Sequence, residues 1–229
     1  MKKNVMMRLA SFLLVAVLIS TSAISGTYAK YVTAENGSET ARVAKFGVGI
    51  EAESFGMFAT DYKTDDKSAT FTGDYSVSSA DGDRDDVMAP GTSGSFADIA
   101  ITGTPEVAVE VDIVSTVTIS DNWTVAGDFY CPIVITVGGT EFYGLDYDSA
   151  ANFAAAIKAN IDAKSAQYAP NTDLGATYNN TNLDLAWKWA FEGTDGKQTN
   201  VKDTALGDKA VAEDLTISIG VAITVTQID

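Results

Sequence analysis

The sequence contains no histidine, a single cysteine, and only 15 basic residues against 31 acidic ones. Without imidazole there is no Ser-His-Asp or Cys-His centre, no His-Glu-x-x-His metalloprotease helix and no histidine-built zinc site. An enzyme on this chain would have to work with carboxylates, lysine, tyrosine or a bound metal. Cys131 has no partner for an internal disulfide, and its apolar neighbours read it as a small buried hydrophobe rather than a reactive thiol. The shortage of positive charge leaves a formal net charge of −16. Such a balance repels nucleic acid and anionic membrane surfaces, and it favours solubility outside the cell or the binding of cations. No internal repeat or low-complexity linker is present. No wall-sorting motif or apolar tail follows Val225, so attachment at a cell surface is expected to be non-covalent.

The N-terminus carries what the rest lacks. Lys2, Lys3 and Arg8 precede an apolar run from Leu9 to Ile24, which dissolves into small and hydroxylated residues at Thr21, Ser22, Ser25 and Gly26. This is the layout of a secretory signal peptide, and Thr27-Tyr28-Ala29 suits a signal peptidase. The cut is expected after Ala29, with Lys30 as the new N-terminus. An uncleaved anchor is the competing reading, because the run approaches the roughly 17 to 25 residues that span a bilayer. Cleavage would leave 12 basic against 31 acidic residues, a charge of −19. The remaining chain is long enough to bury one full core.

Beyond the junction the dominant period is two. Val107, Val109, Val111, Ile113, Val117 and Ile119 alternate with smaller or polar residues, and so do Leu215, Ile217, Ile219, Val221, Ile223 and Val225. Both read as long strands with one buried face. Cys131, Ile133, Ile135 and Val137 run into Gly138-Gly139 before Thr140 resumes an apolar pattern, which predicts a tight hairpin. Trp187, Trp189 and Phe191 give an aromatic alternating strand. One segment has helical spacing: Asp148 or Ser149 caps a helix through Phe153, Ala154, Ile157 and Ile161, ending near Ser165 and expected to cover the core. The pattern indicates an all-β chain, a jelly-roll-like β-sandwich with one inserted helix, preceded by a cleavable signal peptide. Its expected parts are 1–29 as signal peptide, 30–45 as an N-terminal arm and 46–229 as the sandwich, with the helix over about 149–165.

Candidate chemistry is sparse. Asp81, Asp83, Asp85 and Asp86 crowd four carboxylates into six residues, a set able to gather oxygen ligands around calcium, but they lack the glycine and terminal glutamate of an EF-hand. A solvated acidic turn is the simpler reading. Any two of 31 acidic residues offer a carboxylate pair for glycoside hydrolysis, so that signal carries almost no information. Trp187, Trp189, Tyr130 and Tyr143 would make a sugar-stacking platform, whereas aromatics at alternating strand positions more often fill a core. Asn122-Trp-Thr and Asn179-Asn-Thr fit the glycosylation pattern. No catalytic residue and no cofactor is assigned.

Six stretches stand out: Ser25-Gly-Thr-Tyr-Ala-Lys-Tyr31, Ala41-Arg-Val-Ala-Lys-Phe-Gly-Val48, Ala89-Pro-Gly-Thr-Ser-Gly-Ser-Phe96, Gly103-Thr-Pro-Glu-Val107, Trp187-Lys-Trp-Ala-Phe-Glu192 and Asp203-Thr-Ala-Leu-Gly207. Together they resemble the TasA and camelysin family of secreted proteins of Gram-positive bacteria. The resemblance implies a SipW-type signal peptide handled by a dedicated peptidase. It also implies a jelly-roll subunit of biofilm-matrix fibres that polymerises when the freed N-terminal segment adds as a strand to the next molecule. Camelysin's proteolytic label does not carry over to a chain without histidine. The 148–165 helix and the long acidic loop at 61–86 do not map onto the family's fibre contacts.

The residues allow such an arm. Tyr31, Val32 and Thr33 are strand formers, and Asn36-Gly37-Ser38 separates them as a hinge from Val43 to Ile50. A merely frayed terminus is the bland alternative. The expectation is therefore a non-enzymatic, secreted, matrix or cell-surface subunit whose partners are itself and related matrix subunits, not nucleic acid. Contact with a membrane would come only through an uncleaved signal segment. The alternative is a monomeric secreted adhesion or carbohydrate-binding module.

Overall fold

The computed structural model describes residues 32–35, 48–52, 57–58, 61–63, 75–78, 87–96, 99–177, 183–193 and 196–228. All of them belong to the unit Val32–Asp229. The signal segment, the cut between Ala29 and Lys30, Tyr31, the Asp81–Asp86 run and Asn179 lie outside the described residues.

Period-two patterning becomes antiparallel sheet throughout. The first four-stranded sheet has the order β1 (Val32–Glu35), β14 (Ile217–Gln227), β7 (Val109–Ile119), β12 (Ala166–Tyr168). The second runs β11 (Thr140–Tyr143), β10 (Ile133–Val137), β13 (Leu185–Trp189), β5 (Ser93–Phe96). Three two-stranded pairs complete the described strands: β2 (Val48–Ala52) with β6 (Ile99–Gly103), β3 (Asp61–Lys63) with β4 (Tyr75–Ser78), and β8 (Thr124–Val125) with β9 (Asp128–Phe129).

The two long strands expected from alternation are partners. β7 and β14 pair along 11 residues, from Ile119 opposite Ile217 to Val109 opposite Gln227. On β7 the odd positions Val109, Val111, Ile113 and Ile119 are buried, while Asp112, Val114, Thr116 and Thr118 are exposed. Burying each Val or Ile side chain is worth about 1.5–3 kcal/mol, so this alternation fixes which face turns inward. The hairpin between β10 and β11 turns through Gly138 (φ 52) and Gly139 (φ 81), a left-handed pair that residues with a Cβ adopt only under strain.

The expected helix forms as α1 (Ala150–Asp162). Ser149 Oγ accepts from the Asn152 N–H at 3.2 Å, and Asp148 accepts from the Asn152 side-chain amide at 2.6 Å, so both candidate caps serve the first turn. Its stripe of Phe153, Ile157 and Ile161 is wholly buried, laid against β7 and reaching β10 and β11 of the other sheet. Apolar residues of both four-stranded sheets and of α1 share one core.

Two expectations need correction, and a third segment takes on definite structure. The chain carries more than one inserted helix: a short α2 (Leu174–Thr177) and an 11-residue α3 (Asn200–Ala210) are also present. Helix α3 escapes the periodicity test because it buries only Asp203 and Leu206, leaving no apolar stripe to detect. A usable signal was Thr199, whose Oγ caps Lys202 N–H at 3.3 Å, with Asp203 in the first turn and Lys209 in the last. The acidic segment 61–86 is not all loop, since β3 and β4 pair within it. Within the 30–45 arm, Val32–Glu35 is an ordered strand of the first sheet.

Trp187 anchors the second sheet. It is 1% exposed, donates from Nε1 to the Met57 carbonyl at 2.8 Å, and meets the rings of Phe58 and Tyr62 at centroid distances of 5.5 and 5.6 Å. Gly94 makes room for this crossing, because a Cβ there would stand 2.0 Å from the Met57 carbonyl oxygen. Trp187→Ala is expected to lower the unfolding free energy by about 3–5 kcal/mol in a urea titration. A loss below about 1 kcal/mol would show that the site collapses without it.

Candidate functional site

A β-sheet protein that remains a monomer has to deal with the unpaired backbone groups at its sheet edges. The first sheet treats its two edges differently.

On the β7 side, β12 covers only Val109 to Val111. Beyond it, at Ile113 and Ser115, the backbone is closed by side chains. The Ile113 N–H donates to Ser165 Oγ at 2.9 Å, and that hydroxyl donates to the Ile113 carbonyl at 3.3 Å. The Ser115 N–H donates to Asp162 Oδ1 at 2.7 Å, and Lys158 Nζ donates to the Ser115 carbonyl at 2.8 Å. Asp162 also accepts from Ser115 Oγ at 2.7 Å and pairs with Lys158 at 2.5 Å. The last turns of α1 therefore stand in for a missing strand, and an arriving chain finds neither donor nor acceptor at residues 113 and 115. Partial burial pushes the Asp162 carboxyl up, but the Lys158 ammonium and the two Ser115 hydrogen bonds outweigh it and hold it below the usual carboxylate range.

On the β14 side a strand pairs with residues 223–226. Val32, Thr33, Ala34 and Glu35 lie opposite Thr226, Val225, Thr224 and Ile223. Among the described residues, the remainder of β14, 217–222, pairs only with β7. Thus Val32 and Thr33, two of the three expected arm residues, occupy a sheet edge within their own chain. Tyr31, Ala29 and Lys30 fall outside the described residues.

The other sequence candidates separate. Trp187, Trp189 and Tyr130 are buried and only Tyr143 is exposed, so no shared stacking platform exists among the four. Tyr130 instead holds α3 in place. Its hydroxyl donates to Asp203 Oδ1 at 2.7 Å while Gln198 Nε2 donates to Oδ2 at 2.8 Å, a buried carboxylate with donors on both oxygens. Cys131 is fully buried, and desolvation pushes its thiol up to about 12, which leaves it inert. Among the described residues no group of three or more acidic or cysteine side chains is placed to hold a metal. Asn122 commits its side-chain amide to the Asp214 carbonyl at 3.1 Å.

Compared with protein-family models, curated proteins and solved structures, the chain matches none. The case for the edge as the functional site therefore rests on its geometry.

Asp162→Ala strips the acceptor from the Ser115 N–H and is expected to cost about 1–2 kcal/mol at pH 7. Because the folded carboxyl is depressed, its contribution is complete above the unfolded pKa of about 3.9 and fades as pH falls through the lower folded value. The gap between wild type and Asp162→Asn, read from urea midpoints, should consequently be widest near neutrality and shrink at pH 3. A gap independent of pH would refute the charged seal.

Proposed function

We propose that this chain is a non-enzymatic, secreted structural subunit with a jelly-roll-like sandwich that self-assembles into extracellular or biofilm-matrix fibres by exchanging its N-terminal strand. The observation that carries this reading is the position of β1. The described strand nearest the expected cleavage point sits at a sheet edge, held there by backbone pairing to β14.

Exchange follows from elementary energetics. A neighbour's Val32–Glu35 would make the same four-residue ladder on Ile223–Thr226 as the chain's own does, so the closed and linked forms differ mainly in linker entropy and concentration. Four paired residues form a short ladder. The side-chain seal at Ile113 and Ser115 withdraws those β7 positions from strand addition, which favours pairing at the β14 edge. Cleavage after Ala29 would free the arm from the membrane before it engages a neighbour.

Electron microscopy of Lys30–Asp229 should show filaments and the same preparation of Glu39–Asp229 only monomers. Monomers from both would defeat self-assembly by this chain alone. Oxidised Ala34→Cys/Thr224→Cys tests the register separately: a ladder of covalent multimers on non-reducing gels is expected from filaments, with Cys131 too buried to compete. Exclusively monomeric disulfide from material that does form filaments would place the linkage elsewhere.

A further inference from the structure

The end of β13 and the turn before β5 enclose a cleft of about 570 Å³ whose lining includes Gly91, Ser93, Lys188, Trp189, Phe191 and Glu192. One wall is preformed. Pro90 and Gly91 (φ 85) make a tight turn closed by Thr92 N–H to the Ala89 carbonyl at 3.0 Å, and the Thr92 hydroxyl donates to the same carbonyl at 2.6 Å. Phe191 is 44% exposed and lies over Gly91, its ring 3.5 Å from where a Cβ would sit.

The cleft continues into a row across all four strands of the second sheet. Tyr143, Val134, Lys188 and Ser93 are successive cross-strand partners, about 14 Å from end to end at the usual strand spacing. Beside the row, Glu141 pairs with Lys188 at 2.5 Å and accepts from the hydroxyl of Tyr143, which is 43% exposed. The Lys188 ammonium and the Tyr143 hydroxyl hold the Glu141 carboxyl below its usual range, so it stays an acceptor. Exposed Tyr143 thus stands at one end of the row beside the Lys188–Glu141 pair, and Phe191 lies over the turn that leads into Ser93 at the other. Trp189, in the cleft lining, has its indole N–H buried without a hydrogen-bond partner.

The class of ligand follows from what the site has left to offer. Backbone recognition is spent: the Gly91 N–H donates to the Trp189 carbonyl at 2.8 Å and the Trp189 N–H to the Thr92 carbonyl at 2.9 Å, so an added peptide strand finds no ladder there. An anionic polymer would face Glu141, Glu192 and the net charge of −16, with Lys188 already paired. Hydroxyl groups both donate and accept, and aromatic faces cover the C–H side of a sugar ring. We propose that this cleft and the Tyr143–Ser93 row bind a neutral polysaccharide, with Phe191 and Tyr143 as the stacking residues. This site is remote in sequence from the β1 arm and is independent of whether the chain polymerises.

The test is calorimetry and saturation-transfer NMR of the secreted protein with cellohexaose, laminarihexaose and, as anionic counterpart, hyaluronate. Binding of at least one neutral hexasaccharide is expected, weakened about tenfold by Phe191→Ala and by Tyr143→Ala, and unchanged by Val114→Ala at an exposed position of the first sheet. Circular dichroism and melting temperature verify folding, and Lys188→Gln serves as a further variant if either aromatic change unfolds the protein. No binding of either neutral sugar, preference for hyaluronate, undiminished binding by the variants, or displacement by a peptide of residues 30–39 would each overturn the proposal. Filament formation is scored apart, so failure here leaves the strand-exchange reading standing.

Discussion

The 11-residue pairing of β7 with β14 organises the first sheet, because each residue on it has two jobs. Its inward side chains make the core on which α1 lies, and its backbone uses both strands' inner hydrogen-bonding edges. What remains is one outer edge on each strand, and the two are closed by different means. Had the register slipped by one residue, Asp112, Thr116 and Thr118 would face the core and the apolar set would face water. The hydrophobic alternation makes that arrangement prohibitively unfavourable, so the edges are as firmly placed as the core.

The two closures differ in kind. At β7 the seal is made of side chains projecting from α1 and the residues just after it, fixed by a helix whose whole apolar stripe is buried. It opens only if that helix moves. At β14 the closure is a four-residue strand, Val32–Glu35, whose backbone pairing any copy of the same segment reproduces. The proposed exchange rests on this contrast: a side-chain seal is specific to its own fold, whereas a backbone ladder is satisfied by any suitable strand.

The same division runs through the aromatic residues. Trp187, Trp189 and Tyr130 share an alternating or apolar context with surface residues of many binding modules, and sequence alone left them open between core and platform. Contact settled the matter: Trp187 is enclosed by Met57, Phe58 and Tyr62, and Trp189 stacks beside Trp123 at 6.1 Å. Phe191, two positions on, escapes because the strand ends at Trp189 and the chain bends outward. Periodicity extended across it would have buried it.

The sequence by itself determined the long strands, the glycine hairpin and the cap and stripe of α1, since each is a local pattern enforced by backbone geometry and by burial over a few neighbouring residues. It also limited the chemistry, because a chain without histidine has no imidazole to place. Tertiary structure alone decided which edge is sealed, where α3 docks and which aromatics remain exposed. Ser115 and Asp162 are 47 residues apart, and Tyr130 and Asp203 are 73 apart. No local pattern records such meetings: a lone Ser in a strand or a lone Asp in a polar helix looks the same in sequence whether it faces water or a partner. Burial distinguishes them, because only there does an unpaired polar group become costly enough to demand its mate.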